Sequence, residues 1–269
     1  MSWLEQLDET VRHPVVLAFL RDIKTNLDDP TPRLILADWL EEHGDTVGAA
    51  RGDFLRLQCH GTHTPNSPRQ AELLARFETA WLGPLKSLAH SWSWHRGMLH
   101  LEIHASVLRG DASALIPPEA FAWVEGVTFR DLTAETVSRL AASPWLVWLS
   151  TLDMGYNVLG DAGVAALASS PNLTNLRTLW LRRNNIGDRG AAALAASTAL
   201  TNLETLSLID NEVGDDGGRA LASSPLLAHL TLVNLEGNRL SQTSIAALKK
   251  AALPHRRLWL HVGRQEHSR

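Results

Sequence analysis

Along the second half of the chain, one arrangement of apolar and polar positions returns at a constant interval. Leu149, Leu152, Met154 and Leu159 recur as Leu176, Leu179, Leu181 and Ile186, then as Leu203, Leu206, Leu208 and Val213. A last copy reads Leu230, Val233, Leu235 and Leu240. Apolar residues two apart with a polar one between them predict short strands with one buried face, because strand side chains alternate in direction. Each copy also holds an asparagine: Asn157, Asn184, Asn211 and Asn238, evenly spaced. A carboxamide carries two donors and an acceptor, so these four are expected to be buried, bonding their own turn and the neighbouring repeat. Gly-Asp-x-Gly follows in three copies, at Gly160–Gly163, Gly187–Gly190 and Gly214–Gly217. Aspartate is a preferred helix N-cap, so Asp161, Asp188 and Asp215 are expected to start short return helices rich in alanine. The fourth copy replaces that motif with Ser241-Gln242-Thr243-Ser244, as suits a unit near the end of a stack.

This repeat is similar to the leucine-rich-repeat pattern, and its strand, Gly-Asp-x-Gly turn and helix resemble the ribonuclease-inhibitor-like class. The resemblance implies an α/β solenoid: a short horseshoe with a parallel sheet on its concave face and helices on its convex face. Phe121, Val124, Val127, Phe129 and Leu132 read as a worn copy with Arg130 in the asparagine position. At the other end, the register places a capping strand within Arg257–Val262, followed by a frayed tail. Degenerate repeats are thus expected over 91–148, regular ones over 149–256 and a cap over 257–262.

The N-terminal side follows a helical period. Val16, Phe19, Leu20, Ile23 and Leu27 fall on one stripe behind His13-Pro14. Thr31-Pro32 looks like an N-cap with proline at the first helical position, opening a helix that ends at Gly44. A third helix covers Val47–His60, and a fourth carries Leu73, Leu74, Phe77 and Trp81. Leu99, Leu101 and Ile103 then alternate as a strand, and Leu108–Leu115 suggests a short helix. The stretch from Pro32 to Asp45 (PRLILADWLEEHGD), with Arg51-Gly52-Asp53-Phe54-Leu55-Arg56-Leu57-Gln58, resembles the bacterial repeat-companion domain. That resemblance implies an all-α helical module over residues 1–90 ahead of a repeat domain over 91–269. It implies no catalytic motif. The charged part of the signature (Arg33, Asp38, Glu42, Asp53 and Arg56) mixes both signs evenly, as expected of ion pairs that join small helices.

Composition narrows the rest. A formal net charge of -4 gives no reason to expect nucleic acid or an acidic membrane as partner, and one cysteine, Cys59, rules out an internal disulfide framework. The N terminus lacks the pattern of a signal peptide, so a cytoplasmic protein, monomeric on its own, is expected. No cofactor and no metal are expected either. Cys59, His60 and His63 lack the second close pair of a structural zinc site. His100, Glu102 and His104 share one strand face, but alternate residues stand about 6.6 Å apart, so His100 and His104 cannot share an ion. At most one adjacent pair could, with help from elsewhere.

The strand residues pointing away from the core are the candidate chemistry. Asp153, Trp180, Ser207, Asn234 and His261 stand in one row, with Arg182, Ile209 and Glu236 in the next and Tyr156, Arg183 and Asp210 one step beyond. Trp, Tyr and Arg dominate binding hot spots, so these residues, His261 aside, are expected to bind a protein partner. A local cluster is the competing account: Arg183 on Asp210 or Tyr156, Arg182 on Asp153 or Glu204. Asp153, Ser207 and His261 are the right types for a hydrolase, but the register separates them by two strands. The expected role is a non-enzymatic protein-interaction scaffold. A regulatory binder, such as an inhibitor or a GTPase activator, is the alternative that the ribonuclease-inhibitor-like resemblance implies.

Overall fold

The computed structural model describes residues 12–60, 67–108, 116–254, 257–263 and 265. The chain divides into two compact units, one of Met1–Glu102 with Ile116–Glu125, the other of Ile103–Leu115 with Gly126–Arg269.

The first unit opens with helices α1 (Pro14–Thr25), α2 (Thr31–His43), α3 (Thr46–His60) and α4 (Pro68–Leu82). Val16, Leu20, Ile23, Leu36, Leu40, Phe54 and Leu55 are fully buried at the spacings that define their apolar stripes. Thr31 is not the N-cap of α2 but its first residue. Pro30 holds the N-cap position without a side-chain bond, and Asp29 Oδ1, one residue earlier, accepts the Thr31 N–H at 2.9 Å. Ion pairs tie the helices together: Arg56 of α3 meets Asp38 and Glu41 of α2, and Arg69 of α4 meets Asp53 of α3.

Two strands that the apolar period does not announce as a pair complete the unit. β1 (Ser91–His95) runs antiparallel to β2 (Met98–His104) around Arg96-Gly97. Both turn residues have positive φ, 48° and 79°, the geometry of a two-residue hairpin. A Cβ on Gly97 would stand 2.3 Å from Leu55 Cδ2, so glycine also admits the α3 side chain. Trp94 packs on Phe54 and Trp81, and the Arg51 guanidinium lies 3.7 Å from the Trp123 ring. The expected helix over Leu108–Leu115 falls mostly outside the described residues; Ala105–Leu108 is a single tight turn.

The second unit is an α/β solenoid. Strands β3 (Val124–Arg130), β4 (Thr151–Asp153), β5 (Thr178–Trp180), β6 (Thr205–Ser207), β7 (Leu232–Asn234) and β8 (Trp259–His261) pair in parallel and in chain order. Leu152, Leu179, Leu206 and Val233 stand in register and fill the core. Helices α5 (Ala134–Leu140), α6 (Gly160–Ala168), α7 (Asp188–Ala195), α8 (Asp215–Ala222) and α9 (Gln242–Ala252) alternate with the strands.

Three rows of side chains join each repeat to the one before. Asn184 Nδ2 donates to Leu181 O of its own turn at 3.1 Å and to Met154 O of the preceding one at 2.8 Å. Asn211 repeats this with Leu208 O and Leu181 O, and Asn238 with Leu235 O and Leu208 O. Their oxygens reach backward too: Asn211 Oδ1 accepts from Asn184 N and Ile186 N at 2.9 and 3.1 Å. Of the tail expected to fray, Gly263 and Gln265 are described and the rest lies outside the described residues; Gln265 adds a rung. Gln265, one repeat interval beyond Asn238, donates to Leu235 O and Val262 O and accepts from Leu240 N. Ser170, Ser197 and Ser224 donate in the same way to Ala141 O, Ala168 O and Ala195 O.

The aspartates make the third row, and here the expected capping is corrected. Asp188 and Asp215 are the first residues of their own helices and do not cap them. Asp161 Oδ1 accepts from Gly187 N and Gly190 N at 2.7 and 2.9 Å, and Asp188 Oδ1 from Gly214 N and Gly217 N at the same distances. Each carboxylate therefore caps the helix of the next repeat. The second glycine of the motif makes room for it: a Cβ on Gly217 would lie 2.8 Å from Asp188 Oδ1. Asp215 does the same for Ser241 N, and there Ser241 caps its own helix as well.

Two outcomes are expected. Asn184→Ala strands buried backbone partners and lowers stability by about 1–3 kcal/mol in denaturant titrations. Asp188→Ala, which removes a cap, costs about 1 kcal/mol. Its hydrogen-exchange signature falls at Gly214 and Gly217, at the start of α8; a loss confined to α7 contradicts capping across repeats.

Candidate functional site

The outer face of the parallel sheet is built from two kinds of position. The outward strand residues come first: Asp153, Trp180, Ser207, Asn234 and His261 are register partners across β4 to β8. Leu179 and Leu181 on either side of Trp180 are fully buried, so Trp180 cannot turn inward and stays 48% exposed. The second kind is the turn residue that follows each strand. Tyr156, Arg183, Asp210 and Gly237, spaced by the same repeat interval, all have positive φ between 52° and 69°. That backbone state is uncommon for side chains other than glycine, and here it lines up Tyr156, Arg183 and Asp210 beside the strand rows.

These positions converge. Asp210 Oδ2 accepts from Arg182 Nε and Nη2 and from Arg183 Nε at 3.0–3.1 Å. Both guanidinium groups also lie over the Tyr156 ring, 5.2 and 5.4 Å from its centre, within cation–π range. Arg182 thus pairs with neither Asp153 nor Glu204. Asp153 is engaged by Gly155 N at 2.8 Å, and Glu204 is taken by Arg177. Partial burial would raise the Asp210 carboxyl, but the two arginines outweigh it and hold its pKa below the ordinary aspartate value.

Beside this cluster lies a recess of about 360 Å³, lined among others by Trp180, Arg182, Ile209, Leu232 and Asn234. A larger hollow of about 450 Å³ runs between Glu204 and Leu258, but neither the tyrosine nor an outward tryptophan reaches it. Ser207 departs from expectation. It lines the recess floor yet is only 9% exposed, because its short side chain sits between the larger Trp180 and Asn234 in register. Ile209, Asp210, Asn234 and Glu236 are half-buried on the same face, and Glu236 N is held by Asn234 Oδ1. Asp153, Ser207 and His261 are two strands apart, roughly 10 Å at ordinary strand spacing, which is too far for a hydrogen-bonded triad.

Trp259, which the repeat register places among the outward residues, is aligned with Leu232 on β7 and 71% exposed, a second large aromatic surface. Elsewhere, His63 and its loop lie outside the described residues. His104 is paired with Asp131 at 2.6 Å, and Glu102 accepts from Ser91. His95, His100 and Glu125, not grouped by their spacing, come together in the first unit. Among the described residues no helix is long and apolar enough to cross a membrane.

The comparisons bear on the repeats alone. A family model described as leucine-rich repeat matches residues 147–168, 172–195 and 199–222, about a quarter of the chain. Among solved structures, the chain is similar to a protein from Bacteroides fragilis, with 18% identity, a TM-score of 0.39, and coverage of 54% of this chain and 42% of that one. It is also similar to an internalin from Listeria monocytogenes, with 16% identity, a TM-score of 0.30, and coverage of 56% and 50%. The chain therefore spans half or less of each. No curated protein matches it in sequence.

The Asp210 titration is testable. A folded pKa below the unfolded value means that its stabilisation is present above the unfolded value of about 3.8 and is lost as pH falls through the lower folded value. In carbonyl NMR titrations Asp210 is expected to titrate below 3.8 in the native chain and to move upward in Arg182→Ala/Arg183→Ala. An unchanged midpoint contradicts the pairing.

Proposed function

We propose that the chain is a non-enzymatic interaction module that binds a protein partner through the outer sheet face of its repeats. Leucine-rich repeats generally mediate protein–protein contacts, and the composition of this face fits that role. One observation carries the reading: Trp180 is held half-exposed between two fully buried leucines, beside the Tyr156–Arg182–Arg183 stack and over an open recess. Exposed aromatic and guanidinium groups are the types that contribute most when desolvated by a partner. Fixed by Asp210, the arginines lose little freedom on binding. Asp153, Asn234 and Glu236 would form a polar rim that sets orientation. The region over 1–90 is read as a repeat-companion module preceding the repeats of 91–269, without an activity of its own.

The test compares partner affinity with and without the central side chains. A partner recovered by affinity capture from the native cell is titrated by calorimetry against the purified chain and against Trp180→Ala and Arg182→Ala. Trp180→Ala is expected to weaken binding by at least about 30-fold, roughly 2 kcal/mol. Thermal stability should stay close to that of the parent, since an exposed side chain holds little of the core. An affinity equal to the parent's in both variants removes this face as the binding surface.

A further inference from the structure

The hairpin of the first unit sets two imidazoles on one face. Ser93 pairs with His100 across the strands, and His95 lies two residues beyond Ser93 on the same side. The two rings are therefore diagonal neighbours, with centres 6.1 Å apart. Between them comes Glu125, a charged residue only 5% exposed. His100 Nε2 stands 3.5 Å and His95 Nδ1 3.9 Å from Glu125 Oε1, and the three atoms lie within 4.8 Å of one another.

The cluster is incompletely satisfied. His100 Nε2 is shielded from solvent, yet it has no hydrogen-bond partner among the described residues. Buried polar atoms are ordinarily bonded, so this nitrogen, facing Glu125 Oε1, points to a ligand. Arg33 approaches Oε2 at 3.6 Å, which leaves Oε1 to the histidines. We infer that His95, His100 and Glu125 form a binding site for a divalent transition-metal ion of the zinc type, with a fourth position open to water.

The donor set suits such an ion, since imidazole nitrogen with one carboxylate oxygen is a common zinc combination. Ligands bound directly to a tetrahedral zinc ion stand roughly 3.3 Å apart. The 3.5 Å pair is nearly there, while the 3.9 Å pair and the two ring nitrogens, within 4.8 Å of each other, close by rotation of His95, whose side chain is 62% exposed at the end of β1. Two cations oppose the ion: Arg33 engages the other carboxylate oxygen, and buried Lys24 donates to Phe121 O and Val124 O. The ligand atoms of the site are Oε1 and the two ring nitrogens, whereas Arg33 faces Oε2 and so orients the carboxylate from outside the ligand set.

The experiment uses the untagged full chain, freed of metal by chelator dialysis, titrated with ZnCl2 by calorimetry and with CoCl2 by visible absorption. One equivalent is expected to bind, with the d–d bands of four-coordinate Co2+. His95→Ala and His100→Ala should each weaken binding by at least about tenfold, whereas His104→Ala, which leaves the site untouched, should bind as the parent does. Circular dichroism checks each fold, and the exposed His95 variant decides the matter if His100→Ala unfolds. No saturable binding, or parental affinity in His95→Ala, overturns the site and assigns any retained metal to surface histidines.

Discussion

Each repeat strand from β4 to β8 is three residues long, and the backbone ladder runs on past its end, as from Tyr156 N to Arg182 O and Arg183 N to Ile209 O. The constraint on the rest is that the turns and helices beyond the strands be held in the same register, and side chains do this. The asparagine, aspartate and serine rows meet it, each reaching about one repeat back or forward to a backbone group. A buried amide left unpaired costs about 1–3 kcal/mol, so each rung is costly to lose. Gly190 and Gly217 belong to the same device, because the aspartate of the preceding repeat occupies the space of a Cβ.

The outer face inherits its geometry from this arrangement. With its core side taken by leucines, a three-residue strand offers only one or two outward side chains. The left-handed turn residue then supplies another per repeat, which is how Tyr156, Arg183 and Asp210 come to lie together. Their clustering joins the local ion-pair account to the binding account. Asp210 organises the arginines, while Tyr156 at 55% and Trp180 at 48% exposure stay accessible to solvent, as the proposed binding role requires. The backbone pattern dictates where these side chains stand; it does not dictate that they be aromatic or cationic.

What could be read from the residues alone was whatever repeats. The constant interval gives strand register directly, so Leu152, Leu179, Leu206 and Val233 are found side by side. Capping is a local rule and points each aspartate at its own helix, whereas these carboxylates act 26 and 29 residues ahead. Gln265 was missed because the amide is preserved while the residue type changes. The tryptophan-bearing β1 strand lacks a repeat to announce it. Glu125 meets His95 and His100 only through the hairpin turn at Arg96-Gly97 and the later return of the chain in β3. Ser207 was placed on the right face, but its depth follows from the size of its neighbours.

The claim that repeats are joined by side-chain bonds to the backbone of the preceding turn is tested most directly by residue-resolved hydrogen exchange on Asn211→Ala. Asn211 Oδ1 accepts the amides of Asn184 and Ile186, one repeat earlier. The account requires those two amides to lose protection while the amides of Asp215–Ala222 keep most of theirs. Unchanged protection at Asn184 and Ile186, or loss restricted to the turn around Asn211 itself, would contradict it.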